Sequence, residues 1–252
     1  MPIWKSYRKE GTHSYSLGAF PTIELLQRRP EQVLALLMHP SFANSEAAAR
    51  VAAIAEAHNI PVQTDAKAFT RISPKENCYL IGVFHKYEAP LEANRSHLLL
   101  VNPADRGNLG TIIRTMLGFA VTDLAIITPG VDFWDPQVIR ASMGAVFSLN
   151  FAYYLAFNEY LSHHPAHLVY PFMLQGKVPL AQVPPPQTPY TLVFGNESSG
   201  LDESYRDKGI SLVIPHAQTI DSLSLPVAVA IALEHFYRRD LEEDEQVRWP
   251  KL

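Results

Sequence analysis

Short continuous apolar runs alternate along the chain with segments of helical spacing, and the alternation becomes more regular after residue 96. In the first stretch, Pro21–Arg29 predicts a helix with Pro21 in its first turn, and Val33–Met38 predicts a strand. Ser45–His58 is rich in alanine and predicts a helix, which Asn59-Ile60-Pro61 stops. A strand follows from Pro61, and Cys78–Tyr87 is β-rich. The polar segment Glu88–Ser96 predicts a connector.

Beyond the connector, strands are expected over Leu98–Asn102, Asp123–Thr128, within Val146–Tyr154, and over His167–Leu174, Tyr190–Phe194 and Ile210–Ile214. Helices are expected over Leu109–Phe119, from Asp135-Pro136, over Ala156–His163, and over Ser222–Arg239. Strands alternating with helices imply an α/β fold with a mostly parallel sheet covered on both faces, whose ligands sit beyond the carboxyl ends of strands. Val227–Leu233 is apolar all round, so the closing helix is expected to be buried on most sides. The run Val183-Pro-Pro-Pro predicts an irregular connection.

The 252 residues are 47% hydrophobic, enough for one large domain or two modest ones. The boundaries expected are 1–90 and 97–252. A single cysteine, Cys78, excludes an internal disulfide or a cysteine zinc site. No apolar run has the length of a membrane span, and Met1–Phe20 has no apolar core of a secretory signal. A cytoplasmic protein is expected. Lys and Arg number 21 against 25 Asp and Glu, a net charge of −4, so any binding to a phosphate backbone must rest on local basic clusters. His163, His164 and His167 stand near a Pro-containing turn and read as a solvated loop rather than a ligand set.

Three segments carry candidate chemistry. Asn102-Pro-Ala-Asp-Arg-Gly-Asn108-Leu-Gly110-Thr-Ile-Ile-Arg114 follows a buried strand and opens a helix. Gly107 and Gly110 permit close backbone approach, and the helix N-terminus favours anions. Read alone, Asn108 is equally a helix cap and Arg114 a surface side chain. Leu192-Val-Phe-Gly195-Asn196-Glu197-Ser-Ser-Gly200-Leu201 runs a strand into a glycine-flanked Asn-Glu pair. Leu201-Asp202 replaces the Lys-Ser/Thr of a phosphate-binding loop, so nucleotide hydrolysis is not supported. Read alone, this is an ordinary strand-end turn with Glu197 solvated. In Ile214-Pro215…Asp221-Ser222-Leu223-Ser224-Leu225-Pro226, Ser222 can cap the closing helix. No Gly-x-Gly-x-x-Gly follows a predicted strand, which disfavours a nicotinamide-dependent oxidoreductase.

Together, in this order and spacing, the three segments resemble the motifs of the SpoU/TrmH family of SPOUT methyltransferases over about Leu98–Arg239. The intervening Arg140-Ala-Ser142-Met-Gly144-Ala resembles the family's Arg-Ala-Ser-x-Gly segment. Residues 1–90 resemble more weakly the small ribosomal-protein-like α/β domain that binds substrate RNA in many members, although the Glu-Gly turn common there is absent. The resemblance implies a C-terminal domain with a trefoil knot and a homodimer with shared active sites. It implies methylation by S-adenosylmethionine of a ribose 2′-hydroxyl in structured RNA, ribosomal in preference to transfer RNA, without a metal. It matches Arg114, Asn108, Glu197 and Ser222 to catalytic positions, with Arg114 either a base or an electrostatic stabiliser. It matches Phe194, Gly195, Asn196, Gly200, Ile214 and Leu223 to the cofactor site. One departure stands out: the family's Ser-Leu-Asn reads Ser222-Leu223-Ser224 here. If that asparagine positions the ribose, the change favours a second reading, an RNA-binding protein that kept the fold and cofactor pocket but not turnover.

Overall fold

A computed structural model of the chain describes residues 3–42, 45–73, 77–183 and 189–243. Its strands are β1 (His13–Leu17), β2 (Val33–Met38), β3 (Val62–Thr64), β4 (Leu80–His85), β5 (His97–Val101), β6 (Asp123–Ile127), β7 (Asn150–Tyr154), β8 (Leu168–Pro171), β9 (Val178–Pro179), β10 (Tyr190–Phe194) and β11 (Leu212–Val213). The helices are α1 (Ala19–Arg28), α2 (Glu46–Ala57), α3 (Ala66–Ile72), α4 (Arg106–Gly118), α5 (Pro136–Ala141), α6 (Phe157–His163) and α7 (Leu225–Glu243). They form two compact units. The first holds Met1–Glu88, Leu109–Arg114 and Asp132–Ser148, and the second holds Ala89–Asn108, Thr115–Val131 and Leu149–Leu252.

The first unit is built on a four-stranded sheet of order β1-β4-β2-β3, with β4 antiparallel to β1 and β2, and β2 parallel to β3. Its strands β2 and β4 read as apolar runs because both of their faces are covered. Leu36, Met38 and Leu80 join one cluster with Leu26 and Val51, while Leu37, Ile81 and Val83 join another with Tyr15 and Phe69. β1 escapes sequence reading because Ser14 and Ser16 are buried within it. Ser14 donates to the carbonyl of Trp134 at 2.5 Å, and Ser16 pairs with the Thr22 hydroxyl at 2.9 Å. α5 starts as expected, with the Asp135 carboxylate accepting from the Gln137 amide at 2.8 Å and Pro136 in the first turn. Gly110 meets α5 closely: a Cβ there would lie 2.4 Å from that of Ala141. Gly107 is less crowded, since a Cβ there would meet the Asp105 carboxylate at 3.1 Å.

The second unit is a five-stranded parallel sheet of order β7-β6-β5-β10-β8, with β9 and β11 as a separate parallel pair. β5 and β10 are neighbours, with Phe194 opposite Leu100, so the first two motif loops leave the sheet side by side. Several expected boundaries shift. Ala145–Ser148 is a tight helical turn, leaving the strand to begin at Asn150. Only Leu212–Val213 of Ile210–Ile214 pairs, and Leu168–Pro171 alone is strand in its segment. The proline run after Val183 lies outside the described residues.

α7 begins at Leu225, not at Ser222. Ser224 precedes it, and the Ser224 carbonyl accepts from the amides of Val227 and Ala228, each at 3.0 Å. The helix buries Val229, Ala232, Leu233 and Phe236 within the unit, but Val227 is 47% and Ile231 38% exposed. The expectation of burial on most sides therefore fails within the chain. One face packs inward, and an apolar pair one turn apart faces outward.

The histidines also depart from expectation. His163 is exposed, but His164 and His167 are buried and pack with His97 of β5, ring centroids 4.4–5.2 Å apart. Ring nitrogens of the three lie within 4.8 Å of one another. Both nitrogens of His97 are engaged, with the Tyr160 hydroxyl at 2.9 Å and the Glu92 carbonyl at 3.0 Å. Both of His167 are engaged too, with Thr191 at 2.8 Å and the Ala93 carbonyl at 3.0 Å. The cluster is hydrogen-bonded within the core, and its Nε2 contacts anchor residues 92–93.

Two outcomes follow from this packing. Phe236 is fully buried, 4.8 Å from the Tyr190 ring and 5.2 Å from that of Tyr170. Phe236→Ala should cost about 3–5 kcal/mol in urea unfolding. Burial pushes His97 and His164 down to about 4 and lowers His167, whereas the unfolded chain protonates histidine near 6.5. The unfolded state binds more protons below that value, so the stability is complete above about pH 6.5 and declines as pH falls towards 4. The urea midpoint should be lower at pH 5, where most carboxylates are still ionised, than at pH 7.5. An unchanged midpoint would contradict the burial argument.

Candidate active site

The second unit contains a cavity of about 350 Å³ lined by four loops: Phe172–Gln175 after β8, Gly195–Leu201 after β10, Ile214 and His216 after β11, and Ser222–Leu223 before α7. Its apolar wall includes Phe172 and Phe194, stacked at 4.4 Å. The β10 loop is folded tightly on itself. Gly200 has φ +67° and donates to the Asn196 carbonyl at 2.9 Å. A Cβ on Gly195 would lie 2.0 Å from the Gly200 carbonyl carbon, so only glycine fits there.

Beside the cavity, Glu197 ties two motif loops together. Its carboxylate accepts from the backbone amides of Ala104 at 3.0 Å and Asp105 at 3.1 Å, and from the Asn108 side-chain amide at 3.3 Å. Asn196 adds a donor to the same carboxylate at 3.4 Å, and its amide also donates to the Asn102 carbonyl at 2.7 Å. Asn102 sits at φ +52°, with its own amide donating to the Pro129 carbonyl at 3.1 Å. Asp105 caps α4 by accepting from the Asn108 amide at 2.7 Å, which places Asn108 inside the first turn and rules it out as the cap. Glu197 is thus not a solvated turn residue. A carboxylate at amides just before a helix is also the pairing that the helix dipole favours.

The sequence-predicted residues divide accordingly. Phe194, Gly195, Asn196, Gly200, Ile214 and Leu223 all line the one cavity, together with Glu197 and Ser222. Asn108 joins them through Glu197. Arg114 is exposed on α4, six residues past Asn108, so the two side chains point about 120° apart round the axis. It belongs to the α4 segment grouped with the first unit. Sequence reading missed Asp105 and Asn102 as organisers, and Phe172 and His216 as lining. Asp105 was detectable, since an acidic residue three before Asn108 at a helix start is a capping signal. Phe172 and His216 carry no local signal and are gathered only by the parallel strand order.

Comparison with known proteins decides the family. The profile of the SpoU rRNA methylase family matches residues 95–234. The chain belongs to this family. A 23S rRNA (guanosine(2553)-2′-O)-methyltransferase of Bacillus subtilis is 30% identical over 173 residues, which cover 67% of this chain and 68% of that protein. An uncharacterized tRNA/rRNA methyltransferase of Synechocystis is 28% identical, over 67% of this chain and 62% of its own length. Among solved structures, an AdoMet-bound rRNA methyltransferase from Sinorhizobium meliloti aligns over 93% of this chain and 90% of its own, with 27% identity and a TM-score of 0.78. The methyltransferase AviRb from Streptomyces viridochromogenes shares the fold, at 18% identity and a TM-score of 0.79. This SpoU-family chain is an RNA methyltransferase, and S-adenosylmethionine is its methyl donor. The cavity fits that donor: an apolar aromatic wall suits an adenine, and glycine-shaped loops bring backbone groups to its edge. Among the described residues no helix is long and apolar enough to cross a membrane.

Two variants test the site. Glu197→Gln puts an NH₂ group where the carboxylate now accepts, so hydrogen exchange at Ala104 and Asp105 should accelerate and methyl transfer should fall on the order of 100-fold. Gly195→Ala should abolish S-adenosylmethionine binding in calorimetry. Wild-type affinity in the alanine variant would contradict the close approach of Gly195 and Gly200.

Proposed function

We propose that the protein methylates a ribose 2′-hydroxyl in structured RNA, with ribosomal RNA as the favoured substrate class over transfer RNA. The observation that carries the reading is the convergence of Glu197, Ser222 and the six cofactor positions on one cavity, with Asn108 tied to Glu197. The 2′-O-methyltransferase named for Bacillus subtilis supports the ribose hydroxyl as target. Residues 1–90 are proposed as the RNA-binding domain, and 97–252 as a trefoil-knotted methyltransferase domain working as a cytoplasmic homodimer. The exposed Val227 and Ile231 of α7 are what the second copy would cover.

When bound, S-adenosylmethionine supplies an electrophilic methyl group on a sulfonium. The residues of this chain then have three tasks. Phe194, Gly195, Asn196, Gly200, Ile214 and Leu223 hold the donor, chiefly through backbone groups and the aromatic wall. Asn108, whose side chain Glu197 fixes from one side, and Ser222 at the cavity rim orient the ribose. Arg114 stabilises the alkoxide that develops on the 2′-oxygen and the adjacent phosphate. A guanidinium remains protonated at physiological pH, which favours this role over that of a base.

The departure at Ser224 leaves the start of α7 unaffected and bears only on the RNA contact. It stands directly before α7, where serine and asparagine serve almost equally well as helix caps. Ser224→Asn should therefore leave thermal stability nearly unchanged, and any change in methyl transfer would report on the RNA contact alone.

Arg114→Ala should lower methyl transfer by a hundredfold to a thousandfold, on the order expected for a lost charge-stabilising donor, while S-adenosylmethionine affinity stays near wild type. Arg114→Lys should rescue poorly because it lacks the planar fork. A near wild-type rate in the alanine variant would overturn the role given to Arg114. Sedimentation at micromolar concentration should show a dimer that Val227→Asp with Ile231→Asp weakens.

A further inference from the structure

The histidine cluster of the second unit lies outside the cavity, and its hydrogen bonds can be counted. Nε2 of His97 meets the carbonyl of Glu92, and Nε2 of His167 meets the carbonyl of Ala93, both at 3.0 Å. A carbonyl only accepts, so both Nε2 atoms carry hydrogen. A neutral imidazole has one N–H, which leaves both Nδ1 atoms bare. Between them runs a chain of three contacts: His97 Nδ1 to the Tyr160 hydroxyl at 2.9 Å, Tyr160 to the Thr191 hydroxyl at 2.6 Å, and Thr191 to His167 Nδ1 at 2.8 Å. Each contact needs one hydrogen, and the two hydroxyls supply only two. The chain is one hydrogen short.

We infer that the buried chain His97–Tyr160–Thr191–His167 is a binding site for a single proton, shared between the two histidines through their Nδ1 atoms, while each Nε2–H holds a connector carbonyl, that of Glu92 or Ala93, with or without it. One proton on either Nδ1 completes the third contact. If it sits on His167, then His167 donates to Thr191, Thr191 to Tyr160 and Tyr160 to His97. If it sits on His97, every bond of the chain reverses. In both forms each Nε2–H still holds its carbonyl. A second proton would put four hydrogens on three contacts, so the capacity is one.

The surroundings fit a single positive charge. Asp123 of β6 is fully buried and acts electrostatically on His97, His164 and His167. Its carboxylate accepts from the Glu92 amide at 2.8 Å, the Thr122 hydroxyl at 2.9 Å and the Asn150 amide at 3.1 Å. Against the proton stand burial of both rings and, at His97, the neighbouring His167 and His164. His164 is no part of the chain: its Nε2 faces the Tyr154 hydroxyl at 3.2 Å, and its buried Nδ1 has no partner. Tyr154 of β7 also feels Glu159. Burial pushes the Tyr160 phenol up, so Tyr160 keeps its proton throughout and only relays hydrogen bonds.

The test is ¹⁵N NMR of the histidine rings in the full-length protein from pH 8 down to pH 3. At pH 8 both rings should be in the Nε2–H form. As pH falls, His97 and His167 should shift together in one transition, each moving part of the way to imidazolium. Thr191→Val and Tyr160→Phe each leave one hydroxyl for one remaining contact, so the neutral chain is already complete and an added proton puts two hydrogens on that contact. In both variants the midpoint should fall by at least about one pH unit, a tenfold loss of proton affinity. An Nδ1–H form of either ring at pH 8 would overturn the inference. So would two independent complete titrations, or an unchanged midpoint in a folded variant. The wild-type measurements decide the matter even if a variant fails to fold.

Discussion

The Glu197 carboxylate is the interaction on which the site depends. It gathers the amides of Ala104 and Asp105 with the side-chain amides of Asn108 and Asn196. These groups come from the segments that follow two adjacent parallel strands, the loop and first turn of α4 after β5 and the loop after β10, which alone would leave the sheet separately. The pairing is charge-assisted and lies at the start of a helix, where a negative charge is favoured. It makes the acid an organiser of the residues around it. Through Asn196 and Asn102 the same network reaches the loop after β6.

The rest of the second unit serves to hold that junction still. Leu98, Leu99 and Leu100 of β5 and Leu192 and Val193 of β10 are fully buried, so the strand ends carrying the loops are fixed by packing on both faces. At the opposite ends, His97 opens β5 and Thr191 lies early in β10, joined through Tyr160 and His167. The two central strands are therefore clamped at one end by a buried polar chain and at the other by a carboxylate. The cavity lies at the carboxylate end, where four loops meet over a wall made by Phe172 and Phe194.

Much of this was legible in the sequence, and the failures have physical causes. Leu98–Asn102 and Tyr190–Phe194 read as strands because burial on both faces makes them uniformly apolar. The glycine-flanked Asn-Glu pair read as a strand-end loop because Gly195 and Gly200 permit a backbone that other residues cannot adopt. β1 was hidden because its buried serines find partners at Trp134 and Thr22, a satisfaction no local pattern reveals. The start of α7 was misplaced because Ser222 and Ser224 are both plausible caps, and only backbone geometry chooses between them. The histidines near residue 165 read as a loop because His97, which buries two of them, lies far away in sequence. Apolar content alone could not say which side of α7 faces inward.

The central claim is that this chain places a methyl group on a ribose 2′-oxygen of RNA. The most direct measurement incubates the purified protein with methyl-labelled S-adenosylmethionine and ribosomal RNA, digests the product to nucleosides and locates the label by mass spectrometry. The account predicts label on the 2′-oxygen of one nucleotide, absent when Arg114→Ala replaces the wild type. Label on a base, or no transfer from a protein that binds S-adenosylmethionine, would contradict it.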